Sequence, residues 1–132
     1  MATRLRITPG ELALGDLRRL YRERPLLELD PSAREAIADS AATVARVIAS
    51  GKVVYGVNTG FGKLAQKTIP ADHLADLQRA LVRSHCAGVG DPLADQVVFL
   101  VMALKANGLA RGHSGIRGEV IDALLTLANA GV

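Results

Sequence analysis

A chain of 132 residues with 49% apolar content is long and hydrophobic enough to fold around a core, which excludes disorder over most of its length. Its net charge of +3 comes from scattered Arg and Lys, and two Phe and two Tyr offer little for bases to stack on, so no nucleic-acid partner is expected. The single cysteine, Cys86, excludes an internal disulfide, and no His, Cys or acidic pair has metal-ligand spacing, so no metal is expected. The amino end, "MATRLRITPG", lacks the apolar stretch of a signal peptide, and the longest apolar run, Val97 to Leu104, is far too short to span a bilayer. The sequence therefore predicts a cytoplasmic protein without a membrane partner.

Apolar residues recur at steps of three and four through most of the chain, which predicts a mainly α fold in one helical domain over residues 1–132. Short strands are expected at "RLRIT", "LLELD" and "KVVYG". A basic helix, "GDLRRLYRE", starts near Gly15 and closes before Pro25, because the residue preceding a proline is pushed out of the helical region. The next helix has Asp30 as N-cap, Pro31 at its first helical position, a face of Ile37, Ala41, Val44 and Ile48, and Gly51 as its stop. "ADHLADLQRALVRSHCAG" then puts Leu74, Leu77, Leu81 and His85 on one face. A fourth helix is expected from Asp91-Pro92, apolar on all sides between Val97 and Leu104. A fifth runs from a Ser114 cap with Ile116, Val120, Leu124 and Leu127 as its face. These last two helices carry more apolar surface than so small a bundle covers, which predicts a partner chain or further sequence.

The loop "ASGKVVYGVNTGFGKLA", Ala49 to Ala65, separates the second and third helices. Gly60 to Ala65 spells G-x-G-x-x-A, but five residues part it from the preceding apolar run and no alternating strand and helix pattern surrounds it, so a dinucleotide site is not expected. A phosphate-binding loop fails because Leu64 follows Gly62-Lys63. A plain turn would suit the composition, since glycine adopts positive φ freely and Asn58 tolerates it, yet the order Tyr-Gly-x-Asn-Thr-Gly-Phe-Gly exceeds what a turn requires. "GHSGI", around Ser114, misses the G-x-S-x-G of a hydrolase elbow at its last position, and His73 and His113 gain no support from their surroundings.

Three segments, "YGVNTGFGKLA", "LQRALVRSHCAGVGDPL" and "LARGHSGIRGEVIDALLTLANAGV", resemble the N-terminal region of the aromatic amino-acid ammonia-lyases and aminomutases, in order and spacing, from about Ile7 to Val132. The resemblance implies a helical N-terminal domain of the fumarase/aspartase-like fold, and a homotetramer with active sites shared between subunits. It also implies an electrophilic methylidene-imidazolone (MIO) formed by cyclising an Ala-Ser-Gly. Ala49, Ser50 and Gly51 form such a tripeptide, but in the family it sits C-terminal to the segment matching the end of this chain. The expectation is that Ala49 to Gly51 are a helix end, that the chain stops before the MIO-forming segment, and that by itself it is inactive and holds no cofactor.

By the same resemblance Tyr55 matches the family's catalytic tyrosine. A free tyrosine has a pKa of about 10, so a site using it as base near neutrality must favour the phenolate through positive charge or donated hydrogen bonds. His85 matches the position facing the substrate side chain, where Ser-His resembles the histidine lyases of the family, and Gly62 would leave room in the pocket or serve as a turn glycine. Cys86 stands where the family usually has alanine. The implied activity is loss of ammonia from L-histidine to give urocanate, as in histidine catabolism. Two alternatives stand beside it: a tyrosine ammonia-lyase or aminomutase of the same family, and a non-catalytic helical module used in assembly.

Overall fold

The computed structural model describes residues 3–60, 62 and 67–131. Over these the order is β1 (Arg4–Ile7), α1 (Leu14–Glu23), β2 (Leu26–Leu29), α2 (Ala33–Ala49), a 3-10 turn (Ala71–His73), α3 (Leu74–His85), α4 (Asp95–Leu109) and α5 (Gly118–Ala130). The chain divides into two compact units, Met1–Ala42 with Pro92–Val132, and Thr43–Asp91.

In the first unit β1 and β2 pair in parallel, with Leu5 opposite Leu27 and Ile7 opposite Leu29, and α1 makes the crossover that a parallel pair requires. Alternation along "RLRI" sends Leu5 and Ile7 inward and leaves both arginines in solvent, where Arg4 pairs with Glu28. α1 begins where Asp16 reaches back to accept the Ala13 N–H at 2.9 Å, and it buries Leu20 completely. α4 packs between α1 and α5. Its inward stripe is Phe99, Ala103, Ala106 and Ala110, three of them small enough to let the neighbouring helices approach closely.

The two strands leave one edge of β2 open, and α5 closes it with a side chain. The Asn129 carboxamide accepts the Leu27 N–H at 2.7 Å and donates to the Leu27 carbonyl at 2.9 Å, taking both backbone groups that face away from β1. That contact sets the rotation of α5. Its buried residues are Ile121, Leu125 and Ala128, one step round from the expected Ile116, Val120, Leu124 and Leu127, and Leu127 is 44% exposed.

The first half of α2 is clamped by the segment before α5 and by its first turn. Arg34 forks onto both carboxylate oxygens of Asp122 at 2.9 and 2.7 Å, and the Gly115 N–H donates to Ser40 Oγ at 2.8 Å. Gly112 passes so near α2 that a Cβ on it would lie 2.7 Å from the Ala36 carbonyl oxygen, and its φ of +74° is in the left-handed region. The Asp30 carboxylate accepts the Ser32 N–H and hydroxyl, as a cap would, although regular helix starts only at Ala33.

Other expectations shift in detail. α4 starts at Asp95 rather than at Asp91-Pro92, with extended Ala94 as its N-cap, and α5 starts at Gly118 rather than at Ser114. "KVVYG" is no strand: from Val54 the chain turns back on itself, with the Val57 and Asn58 N–H groups both donating to the Val54 carbonyl. The expected excess of apolar surface on the last two helices is present, with Val101 55% and Leu104 39% exposed.

Gly112→Ala combines strained φ with a backbone clash and is expected to cost about 2–4 kcal/mol in denaturant unfolding. The hydrogen bonds from Arg34 hold the Asp122 carboxyl below the usual aspartate value of 3.8, and both side chains are about half exposed. Asp122→Asn should therefore cost only about 0.5–1 kcal/mol near pH 7. A depressed carboxyl stabilises fully above its unfolded value, so the difference between parent and variant should persist down to about that value and fade below it, in melts recorded against pH.

Candidate active site

The residues singled out from the sequence, Tyr55, Gly62 and His85, all fall within the second unit, Thr43–Asp91. Among its described residues no apolar side chain is buried; the buried side chains are Asn58 at 5% and Thr59 at 1% exposure. Tyr55 sits on the turn that follows α2 and is 63% exposed.

α2 ends as the sequence predicts. The Ser50 N–H donates to the Arg46 carbonyl, the Gly51 N–H to the Ile48 carbonyl, and the Ser50 hydroxyl to the Val47 carbonyl at 2.8 Å, while Gly51 takes a φ of +67°. Ala49, Ser50 and Gly51 thus have the bonding of an ordinary helix stop. Cyclisation would need the Gly51 nitrogen and Ser50 hydroxyl that this stop already uses, so the tripeptide does not fit an MIO precursor.

The turn itself is closed by Asn58. Its Oδ1 accepts the Val54 N–H at 2.8 Å, its Nδ2 donates to the Lys52 carbonyl at 2.9 Å, and its own carbonyl accepts the Ile69 N–H at 2.9 Å. Thr59 and Thr68 form an antiparallel bridge beside it, and the Gly60 N–H donates to the Lys67 carbonyl. Positive φ falls on Gly56 at +78° and Gly62 at +57°; Asn58 does not adopt it, so the tolerance ascribed to it from sequence is not what the fold uses. Gly62 is exposed, and a Cβ built on it meets no atom within 4 Å, so backbone conformation rather than crowding is what calls for glycine there. The remainder of the glycine-rich run, Phe61 and residues 63–66, lies outside the described residues.

His85 is in the last turn of α3, whose Leu74, Leu77 and Leu81 are half-buried while His85 itself is exposed, so it does not share their shielding. Its Nδ1 lies 2.9 Å from the Leu81 carbonyl and 3.1 Å from Ser84 Oγ, and Ser84 Oγ donates its own proton to the same carbonyl at 2.8 Å. A carbonyl only accepts, and the single hydroxyl proton is already used. The tautomer that satisfies this geometry carries its proton on Nδ1, and in it Nε2 is an acceptor. Ser84 is part of the device: beside histidine it fixes which nitrogen is offered.

A cleft of about 700 Å³ occurs in the other unit, lined among others by Arg24, Leu93, Phe99, Met102 and Asn129, and it contains none of Tyr55, Gly62 or His85. Among the described residues no three His, Cys, Asp or Glu side chains group as metal ligands. Nor is any helix among them long and apolar enough to cross a membrane.

Comparison with known proteins places the chain in a family. The model of the aromatic amino acid lyases matches residues 12–132, and the chain belongs to that family. Over 130 residues the chain is 51% identical to a histidine ammonia-lyase of Pseudomonas fluorescens, covering 98% of this chain and 25% of that protein. Among solved structures it superposes on histidine ammonia-lyase from Trypanosoma cruzi with a TM-score of 0.84 and 34% identity, over 97% of this chain and 24% of that one. On tyrosine aminomutase from Streptomyces globisporus the TM-score is 0.91 at 27% identity, over 98% and 25%. The chain thus spans about a quarter of the length of the curated relatives it matches.

Nitrogen-15 shifts of the neutral His85 ring should report a protonated Nδ1 and a bare Nε2; the opposite tautomer would remove the acceptor role derived above.

Proposed function

We propose that this chain is the N-terminal part of a histidine ammonia-lyase, which eliminates ammonia from L-histidine to give urocanate. The observation that carries the reading is the pairing, in one compact unit, of an exposed Tyr55 on a pinned turn with a His85 whose Nε2 is fixed as an acceptor. The identity to the Pseudomonas histidine ammonia-lyase supports it. In the net reaction the bond from the β-carbon to hydrogen breaks and its electrons form the new carbon–carbon double bond. The carbon–nitrogen bond breaks and its electron pair leaves with ammonia.

The β-proton is weakly acidic, so a base must stand at that carbon, and Tyr55 Oη is the atom assigned to take it. Its exposed turn delivers the phenol outward, to a site completed by residues beyond this chain. His85 Nε2 accepts a hydrogen bond from the N–H of the substrate imidazole, which orients the ring and discriminates against a phenol or phenyl side chain. The MIO, when present, supplies the electrophile that makes the amine a better leaving group. It would form from an Ala-Ser-Gly elsewhere in the longer polypeptide, since Ala49 to Gly51 are committed to ending α2. With the family's shared active sites, the working assembly would be a cytoplasmic homotetramer, and the exposed Val101 and Leu104 of α4 are surface for it to cover.

The tyrosine alternative is kept in view by the close superposition on a tyrosine aminomutase. Assay of the complete lyase separates the readings: urocanate from L-histidine is expected, and coumarate or β-tyrosine from L-tyrosine would replace this substrate assignment. Tyr55→Phe should lower kcat by roughly 10²–10⁴, the range general bases contribute. His85→Ala should raise KM for L-histidine about tenfold with a smaller effect on kcat.

A further inference from the structure

We infer that Asn58 is a positioning residue for Tyr55, holding the phenol in place by tying down, through one carboxamide, the two backbone groups that lead into it. The inference rests on the reading of Tyr55 as the base. Tyr55 is 63% exposed and is carried on the turn that follows α2, so a shift of that backbone moves its phenol. That backbone is fixed by the Asn58 side chain at two points leading into Tyr55. Oδ1 takes the N–H of Val54, immediately before Tyr55, and Nδ2 reaches the carbonyl of Lys52, three residues before it. The Asn58 N–H donates back to the Val54 carbonyl at 3.2 Å, and its carbonyl receives the Ile69 N–H, so the turn is also tied to the returning chain.

A primary amide is the side-chain end group that offers a donor and an acceptor side by side at this reach. Aspartate lacks the donor, leucine lacks both, and a hydroxyl is too short. Asn58 is also 5% exposed in a unit whose described residues bury no apolar side chain, so its burial serves these bonds rather than the filling of a core. A base displaced by about 1 Å can lose on the order of 100-fold in rate, which is the effect expected when the turn relaxes.

The test uses the complete lyase and five variants: Tyr55→Phe, Asn58→Leu, Asn58→Asp, and Tyr55→Phe combined with each of the two Asn58 substitutions. Asn58→Leu is expected to lower kcat roughly 100-fold and Asn58→Asp, which keeps the acceptor for Val54, roughly tenfold, both with KM for L-histidine within about threefold. Each combined variant should be no more than about threefold worse than Tyr55→Phe, because a residue acting through the tyrosine has nothing left to act on once the hydroxyl is gone. If Tyr55→Phe collapses turnover while both Asn58 variants keep kcat within about threefold, the positioning role is wrong and the base assignment stands. Losses that multiply in the combined variants would mark Asn58 as a general structural residue and equally overturn the proposal. If Tyr55→Phe retains turnover, the base reading falls and this proposal falls with it. Should Asn58→Leu lose its circular dichroism signal, Asn58→Asp and its combination with Tyr55→Phe decide the matter by the same criteria.

Discussion

Much of this structure depends on how closely the segment around Gly112 approaches the first half of α2. A carbonyl of one helix and the α-carbon of a glycine occupy space that any side chain would need, and the left-handed backbone at Gly112 makes that approach and the following turn compatible. Once the two are in contact, the fork between Arg34 and Asp122 and the bond from Gly115 to Ser40 fall within reach. The polar bonds are each modest, because both charged partners are half exposed. Their combined consequence is geometric: the first half of α2 has a defined position and direction within its unit.

The loop that carries Tyr55 obeys different physics from the unit in which α2 starts. Around α4, location comes from apolar burial and from alanines that let helices close up. Around Tyr55 it comes from hydrogen bonds among main-chain groups and one carboxamide, with Asn58 and Thr59 inside and the tyrosine outside. Where a side chain stands out from its unit in this way, the hydrogen-bonded backbone beneath it is what the fold fixes. The end of α3 solves a similar problem at smaller scale. There the Leu81 carbonyl and the Ser84 hydroxyl hold one nitrogen of His85 and so define the chemistry of the other.

What the sequence carries of this follows from which forces act over short range. Helices α1 to α3 and the pair β1 and β2 lie close to where periodicity, Pro25 and Gly51 put them, because those signals act within a turn or two of chain. The rotation of α5 was not legible, since Ile121, Leu125 and Ala128 are no more apolar than the set beside them. The choice is made by Asn129 reaching Leu27, 102 residues away in sequence. "KVVYG" reads as a strand by composition and is a turn because a side chain four residues on captures the Val54 N–H. Tyr55 and His85 stand out through a resemblance to a family, not through spacing or polarity. From sequence Asn58 reads only as a residue tolerant of turns; an asparagine five residues after the start of a β-branched run is the available hint.

The seal that Asn129 places on Leu27 also bears on how the chain behaves in company. A two-stranded parallel sheet ordinarily displays a row of unmet donors and acceptors that an extended segment of another molecule can pair with. Here the middle of that row is already occupied by a side chain borne on a helix, which blocks an incoming strand both by bonding and by bulk. During synthesis β1 and β2 emerge about a hundred residues before Asn129 does, so that edge stays open until α5 is made and docked. The same asparagine that orients a helix in the finished molecule thus ends an interval in which the nascent chain is open to strand exchange.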